Sequence, residues 1–148
     1  MKEIFGTPVF EPLFKERPDL LSIIKEKVIP IWGDISIDEL GLDPAVRQTL
    51  VDELDIILNS AASISFDDPL KDALRINYMG TRRILDLANS CKRLLALHHL
   101  STCGVHTHLP SGGDFPEELV PFPGIGDQDW EEWVNDLLAK GPEYIDKE

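Results

Sequence analysis

Hydrophobic positions along the chain alternate between runs of helical spacing and short unbroken apolar runs. Between residues 12 and 26, Leu13, Phe14, Leu20, Leu21, Ile23 and Ile24 recur at helical intervals, but Arg17-Pro18 interrupts them. Proline has no N–H to give and its ring clashes with the preceding turn, so two helical pieces are expected. Val28-Ile29-Pro30-Ile31-Trp32 has the composition of a short strand ending at Gly33-Asp34, and Pro30 assigns it to a sheet edge. Asp43-Pro44 supplies an N-cap and a first-turn proline for a helix through Leu54. Asp55-Ile56-Ile57-Leu58-Asn59 and Leu94-Leu95-Ala96-Leu97-His98-His99-Leu100 are continuous apolar runs, the pattern of parallel strands covered on both faces. Between them a helix opens at Asp67-Asp68-Pro69. Its Leu70, Ala73, Leu74, Asn77, Gly80, Thr81, Ile84, Leu85 and Ala88 fall three or four apart and share one face. Strand, helix, strand, helix, strand, with right-handed crossovers, builds a doubly wound α/β sheet.

Composition then divides the 148 residues unevenly. The chain carries 14 Lys and Arg against 27 Asp and Glu, a net charge of −13, which argues against nucleic acid as a partner. Residues 109–148 hold eleven of those acids and only Lys140 and Lys147, together with Pro-Gly punctuation at 110–113 and 121–126. We therefore divide the chain into an α/β portion, 1–108, and an acidic loop and helix insertion of the same domain, 109–148. In that insertion Trp130, Trp133, Val134 and Leu137 form a face expected to dock a helix on the body. The acidity itself fits a solvated surface. No apolar stretch approaches the roughly 18 residues of a bilayer span. The start Met1-Lys2-Glu3-Ile4 has no secretory pattern, which places the expected location in the cytoplasm. Cys91 and Cys103 form no framework and are expected as thiols.

The words themselves resemble a family. Ile31-Trp32-Gly33-Asp34-Ile35, Leu58-Asn59-Ser60-Ala61-Ala62, Arg75-Ile76-Asn77-Tyr78-Met79-Gly80-Thr81-Arg82-Arg83 and Leu100-Ser101-Thr102 look like successive landmarks of the fatty acyl-CoA reductases, within the extended short-chain dehydrogenase/reductases. The resemblance covers about residues 10–105. It implies an incomplete Rossmann-like doubly wound parallel sheet lacking the first two strands, followed by the loop-rich acidic C-terminal segment. In the Rossmann strand order the third strand is outermost, where Pro30 is tolerated. No Gly-x-x-Gly-x-x-Gly turn occurs in the sequence. Gly124-Ile125-Gly126 follows no strand and is no substitute. The family's Tyr-x-x-x-Lys pair is also missing, because Tyr144 is followed by Lys147, one residue too soon.

The resemblance implies NADPH as cofactor and fatty acyl-CoA as substrate of the intact parent, with a fatty alcohol as product. It places Asp34 and Ile35 beside the adenine, with Ser60, Ala61 and Ala62 near ribose and pyrophosphate and Ser101 beside the cofactor. Thr102 matches the hydroxyl that polarises the substrate carbonyl, and Asn77 matches the asparagine supporting the proton relay. Read from the residues alone, Asp34 serves equally as a turn residue capping Ser36. The small residues at 60–62 serve equally for helix–sheet packing, and Asn77 serves as a buried amide that must find a partner. Cys103-Gly104 departs from the family pattern after Thr102. No metal site is expected: His98 and His99, adjacent in a strand, point to opposite faces, which sets them against a shared site with Cys103, His106 and His108. The reading is of a reductase segment inactive by itself. Its alternatives are a non-catalytic interaction module that self-associates through an unpaired sheet edge, and a segment of another extended dehydrogenase acting on a sterol or nucleotide sugar.

Overall fold

The computed structural model describes residues 2–102, 104, 110–113 and 129–140. It divides into two compact units, Met1–Trp32 and Gly33–Glu148. The composition boundary near residue 108 falls outside the described residues, as do Cys103, His106, His108, Gly124, Ile125, Gly126, Tyr144 and Lys147.

The first unit is helical. It contains α1 (Lys2–Phe5), a 3-10 turn at Pro8–Phe10, α2 (Glu11–Glu16) and α3 (Leu20–Lys27). The break between α2 and α3 falls at Arg17-Pro18, as the proline requires. Arg17 also donates to Asp19 at 3.0 and 2.8 Å, bridging the break. Phe10 contacts Phe5 edge-on, with centroids 5.3 Å apart, and stacks on Phe14 at 6.0 Å. Residues 28–32 form no strand, against the expectation. Among the described residues they have no strand neighbour: the Val28 N–H bonds back to the Ile24 carbonyl, Pro30 has no N–H to donate, and Ile29 and Trp32 lie exposed.

The second unit holds the α/β part. It contains α4 (Pro44–Glu53), β1 (Ile56–Asn59), a helical stretch running through α5 (Leu70–Ala73), a π-helical turn (Leu74–Met79) and α6 (Gly80–Ser90), then β2 (Ala96–His99) and α7 (Trp130–Ala139). Asp43 caps α4 by accepting from the N–H groups of Ala45 and Val46 at 2.9 and 3.3 Å. Asp129 caps α7 in the same way, from Glu131 and Glu132. The two strands pair in parallel, Ile56 opposite Ala96 through Asn59 opposite His99, joined by the helical crossover that a parallel pair demands.

The core is formed by Leu40 from the loop before α4, Val51 from α4 and Leu87 from α6, ringed by Ile35, Leu42, Leu54, Ile84 and Cys91. On α7, Val134 and Leu137 are buried as expected, Trp130 is exposed against the expectation, and Arg82 of α6 pairs with Glu131. The sheet departs from its expected burial. Along β1, Ile56 and Leu58 are 54% and 75% exposed while Ile57 and Asn59 turn inward. Helix α6 packs against β1, and the alternating burial leaves Ile56 and Leu58 on the outward face. In β2, His98 and His99 are exposed too.

Candidate functional site

Parallel pairing sends the chain out of β1 and β2 at the same end of the sheet, the end at which open α/β folds bind ligands. Asn59, at the tip of β1, is the one polar residue among the described residues that is buried, 4% exposed. Its Nδ2 donates to His99 Nδ1 at 3.1 Å, which in the neutral imidazole leaves the hydrogen on Nε2. Its Oδ1 accepts from the Ala61 N–H at 3.2 Å, bending the chain into an Asx turn. The Leu100 N–H donates to the Asn59 carbonyl at 2.9 Å. One asparagine thus fixes both strand ends, a role the sequence reading overlooked although an Asn before Ser-Ala-Ala is a turn signal.

Ser60, Ala61 and Ala62 follow, all exposed. Asn77 then clamps the loop, its Oδ1 accepting from the Ser63 N–H at 2.8 Å and its Nδ2 donating to the Ser63 carbonyl at 3.1 Å. Both polar ends of the amide are used. Its burial is not as expected, because the side chain is exposed, lying beyond the covered part of the helix face. It sits in the π-helical turn, an arrangement with one extra residue per turn that recurs at functional sites. Ser63 Oγ also bonds Asp68, just before α5. Ser101 and Thr102 follow β2 and are exposed, and Thr102 Oγ1 accepts from the Gly104 N–H at 3.1 Å. Among the described residues no hydrogen bond links Thr102 to Asn77.

Asp34 and Ile35 belong to a separately braced loop. Asp34 Oδ1 accepts from the Ser36 N–H at 2.8 Å and its own N–H donates to the Leu40 carbonyl at 2.8 Å. Hydrogen bonds from Ser36 hold its carboxyl below the usual carboxylate range, with Arg83 adding a smaller attraction. The turn-residue role is therefore occupied. Glu39, Leu40 and Gly41 have φ of 54°, 61° and 59°, three successive left-handed residues. The Gly80-Thr81-Arg82-Arg83 segment braces this loop. A Cβ on Gly80 would lie 2.9 Å from Ile35 Cδ1, so only glycine allows that approach. Arg83 donates to the Ile35 carbonyl at 3.2 Å and to Asp38 at 3.1 and 2.8 Å. The Asn-x-x-Gly-Thr-Arg-Arg run thus grips two loops: Asn77 the one after β1, Gly80 and Arg83 the one before α4. Away from this site, burial raises the Cys91 thiol above its ordinary range, keeping it protonated at neutral pH.

The NAD-binding family described as male sterility protein matches residues 1–142. The chain belongs to that family. Within it, the chain is similar to the Drosophila melanogaster protein CG8306, assigned as a fatty acyl-CoA reductase, at 39% identity over 123 residues, 83% of this chain and 23% of the relative. It is 30% identical over 142 residues to fatty acyl-CoA reductase 1 of Gallus gallus, 94% of this chain and 26% of the relative. To fatty acyl-CoA reductase 8 of Arabidopsis thaliana it is 36% identical over 123 residues, 81% and 24%. It therefore spans about a quarter of the length of these curated relatives. The family points to a nicotinamide cofactor, and the parallel strand pair with its helical crossover is consistent with a Rossmann-like NAD-binding domain. Among the described residues no helix is long and apolar enough to cross a membrane.

Proposed function

We propose that the chain is a segment of an NADPH-dependent fatty acyl-CoA reductase and is inactive by itself. The observation that carries this reading is the Asn77 clamp on Ser63, which fixes a loop of small exposed residues at the ligand-binding end of the strands. Ser60, Ala61 and Ala62 leave room for a ribose to approach the backbone. The pyrophosphate finds no glycine-rich turn in residues 1–148, so only part of the cofactor surface fits. The reading takes the fold as a doubly wound sheet without its first two strands, carrying an acidic C-terminal segment. Bound NADPH supplies a hydride to the thioester carbonyl in such chemistry. The chain's own contribution is Thr102, whose hydroxyl would polarise that carbonyl, with Asn77 holding the relay loop in place. Asp34, Ile35 and Ser101 complete the cofactor side. A reductase without its Tyr/Lys pair loses about 10²–10⁴-fold from proton transfer alone.

Calorimetric titration of the folded 148-residue chain with NADPH tests this. No heat is expected, and low-micromolar binding would overturn the claim that the cofactor surface is incomplete. A second reading, a non-catalytic module that self-associates through the sheet, is favoured by the exposed Ile56 and Leu58. Concentration-dependent sedimentation separates the two.

A further inference from the structure

Hydrogen-bond chemistry fixes the orientation of the Asn59 amide and the tautomer of His99 together. The Ala61 N–H, 3.2 Å from the Asn59 side chain, can only donate, so the atom it meets must be Oδ1. The other end of the amide, 3.1 Å from His99 Nδ1, is then the NH2 group, which can only donate as well. His99 must answer with a lone pair. It has one at Nδ1 only while the imidazole is neutral and carries its hydrogen on Nε2. The register sets the two residues side by side on one face of the sheet, and Asn59 is buried, so bulk water is a poor substitute for either partner.

We propose that His99 is a proton-operated positioning residue for the 60–62 loop, holding it through Asn59 while neutral and releasing it when charged. A hydrogen on Nδ1 would set donor against donor. Turning the amide over relieves this: Oδ1 then accepts from the charged imidazole, a stronger bond than a neutral one, and Asn59 stays satisfied. The cost falls on Ala61, whose N–H now meets the NH2 group and must turn to solvent, as its exposed position allows. The release is bounded on both sides. The Leu100 N–H, bonded to the Asn59 backbone carbonyl, keeps the strands paired, and Asn77 keeps its hold on Ser63. The charged groups nearby are engaged elsewhere. His98, next to His99 in β2, points to the opposite face. On α6, which packs against β1, Arg82 pairs with Glu131, Arg83 with Asp38, and Asp86 lines a cavity with Arg47. Asp55 pairs with Arg93 at the far end of the strands, and Asp68 bonds Ser63. Among the described residues none of these groups bonds His99. Acid would thereby loosen the surface assigned above to the ribose, but the latch belongs to this chain and stands without the reductase reading.

The test is an NMR pH titration of the isotopically labelled 148-residue chain between about pH 8 and about pH 5, the interval in which imidazole ordinarily changes charge. At the upper end the His99 ring nitrogens should report a bare Nδ1 and a hydrogen on Nε2. On acidification the Ala61 amide and the Asn59 side-chain NH2 should move together with the His99 ring. Hydrogen-exchange protection at Ala61 should fall about fivefold, the size of one net hydrogen bond, while Leu100 and Ser63 keep theirs. His99→Gln, which offers an acceptor at Oε1 and cannot take a charge, should hold the Ala61 turn at both ends of the range. His98→Gln should leave the transition in place. Both histidines are exposed, so neither change touches the core. A hydrogen on Nδ1 at the upper end, an Ala61 amide indifferent to the charge of His99, or a transition that survives His99→Gln would each overturn the proposal. The first two readings come from the unaltered chain, so they decide even where glutamine does not reach Asn59.

Discussion

Two regions of the second unit are built from equally apolar sequence and end in opposite states. Around α6, Leu40, Val51 and Leu87 close into a core, and Gly80 and Arg83 lock the preceding loop against the helix. In the sheet, Ile56 and Leu58 are as apolar as any of these and stand in solvent. The difference lies in layers. A helix needs one partner for its stripe, and α6 has α4 and the loop before it. A parallel strand needs a layer on each face and a neighbour on each edge, and among the described residues β1 pairs with β2 alone and packs on α6. Apolar composition specifies that a segment wants to be covered, while topology decides whether it is.

The comparison breaks first at the core. Leu87→Ala should cost about 2–5 kcal/mol, from lost burial and the cavity left behind. Leu58→Ser, the larger chemical change, should stay within about 0.5 kcal/mol because its side chain is already wet. Urea melts of both variants check this, and a Leu58 effect equal to that of Leu87 would mean the outer sheet face is covered. A sharper test is Gly80→Ala. The added methyl meets Ile35, so a loss of about 1–3 kcal/mol is expected. Most of it should disappear when the alanine is introduced into an Ile35→Ala background, as a double-mutant cycle would report.

The smallest effect concerns charge. Asp52 receives hydrogen bonds from Lys92 and Gln48, which hold its carboxyl below the usual 3.8. A lowered folded-state value stabilises the fold above the unfolded-state pKa and loses that contribution as pH falls through the folded one. Wild type and Asp52→Asn should therefore differ slightly at neutral pH and converge as the pH falls through the lowered folded-state value of Asp52. A gap that widens on acidification would reverse the sign.

The helices of this molecule were readable because their signals are local. Arg17-Pro18 marks a break, Asp43-Pro44 a start, and Val134 with Leu137 a buried stripe, each within one or two turns of the effect. The two strands that form were readable as apolar runs, but their one-sided burial was not, since it depends on a layer remote in sequence. Residues 28–32 show the same limit more sharply: a strand-like run with no strand neighbour among the described residues remains irregular. At the site, the partner expected for Asn77 rested on a burial that the structure does not show, and the partner it has, Ser63, lies fourteen residues away, beyond any local signal. The π-helical turn that carries Asn77 and the left-handed run at 39–41 left no sequence signal beyond Gly41.

Leu40 carries a final consequence. It is a core side chain on a left-handed backbone, 6% exposed at φ 61°. Glycine would relax the backbone and hollow the core, asparagine would relax it and bury an amide, and valine would fill part of the space while worsening the torsion. No single replacement meets both demands. In a saturation library the position should therefore tolerate almost nothing. Its neighbour Glu39, left-handed but at the surface, should accept glycine and asparagine freely, so that two adjacent residues of the same backbone handedness would follow opposite rules of substitution.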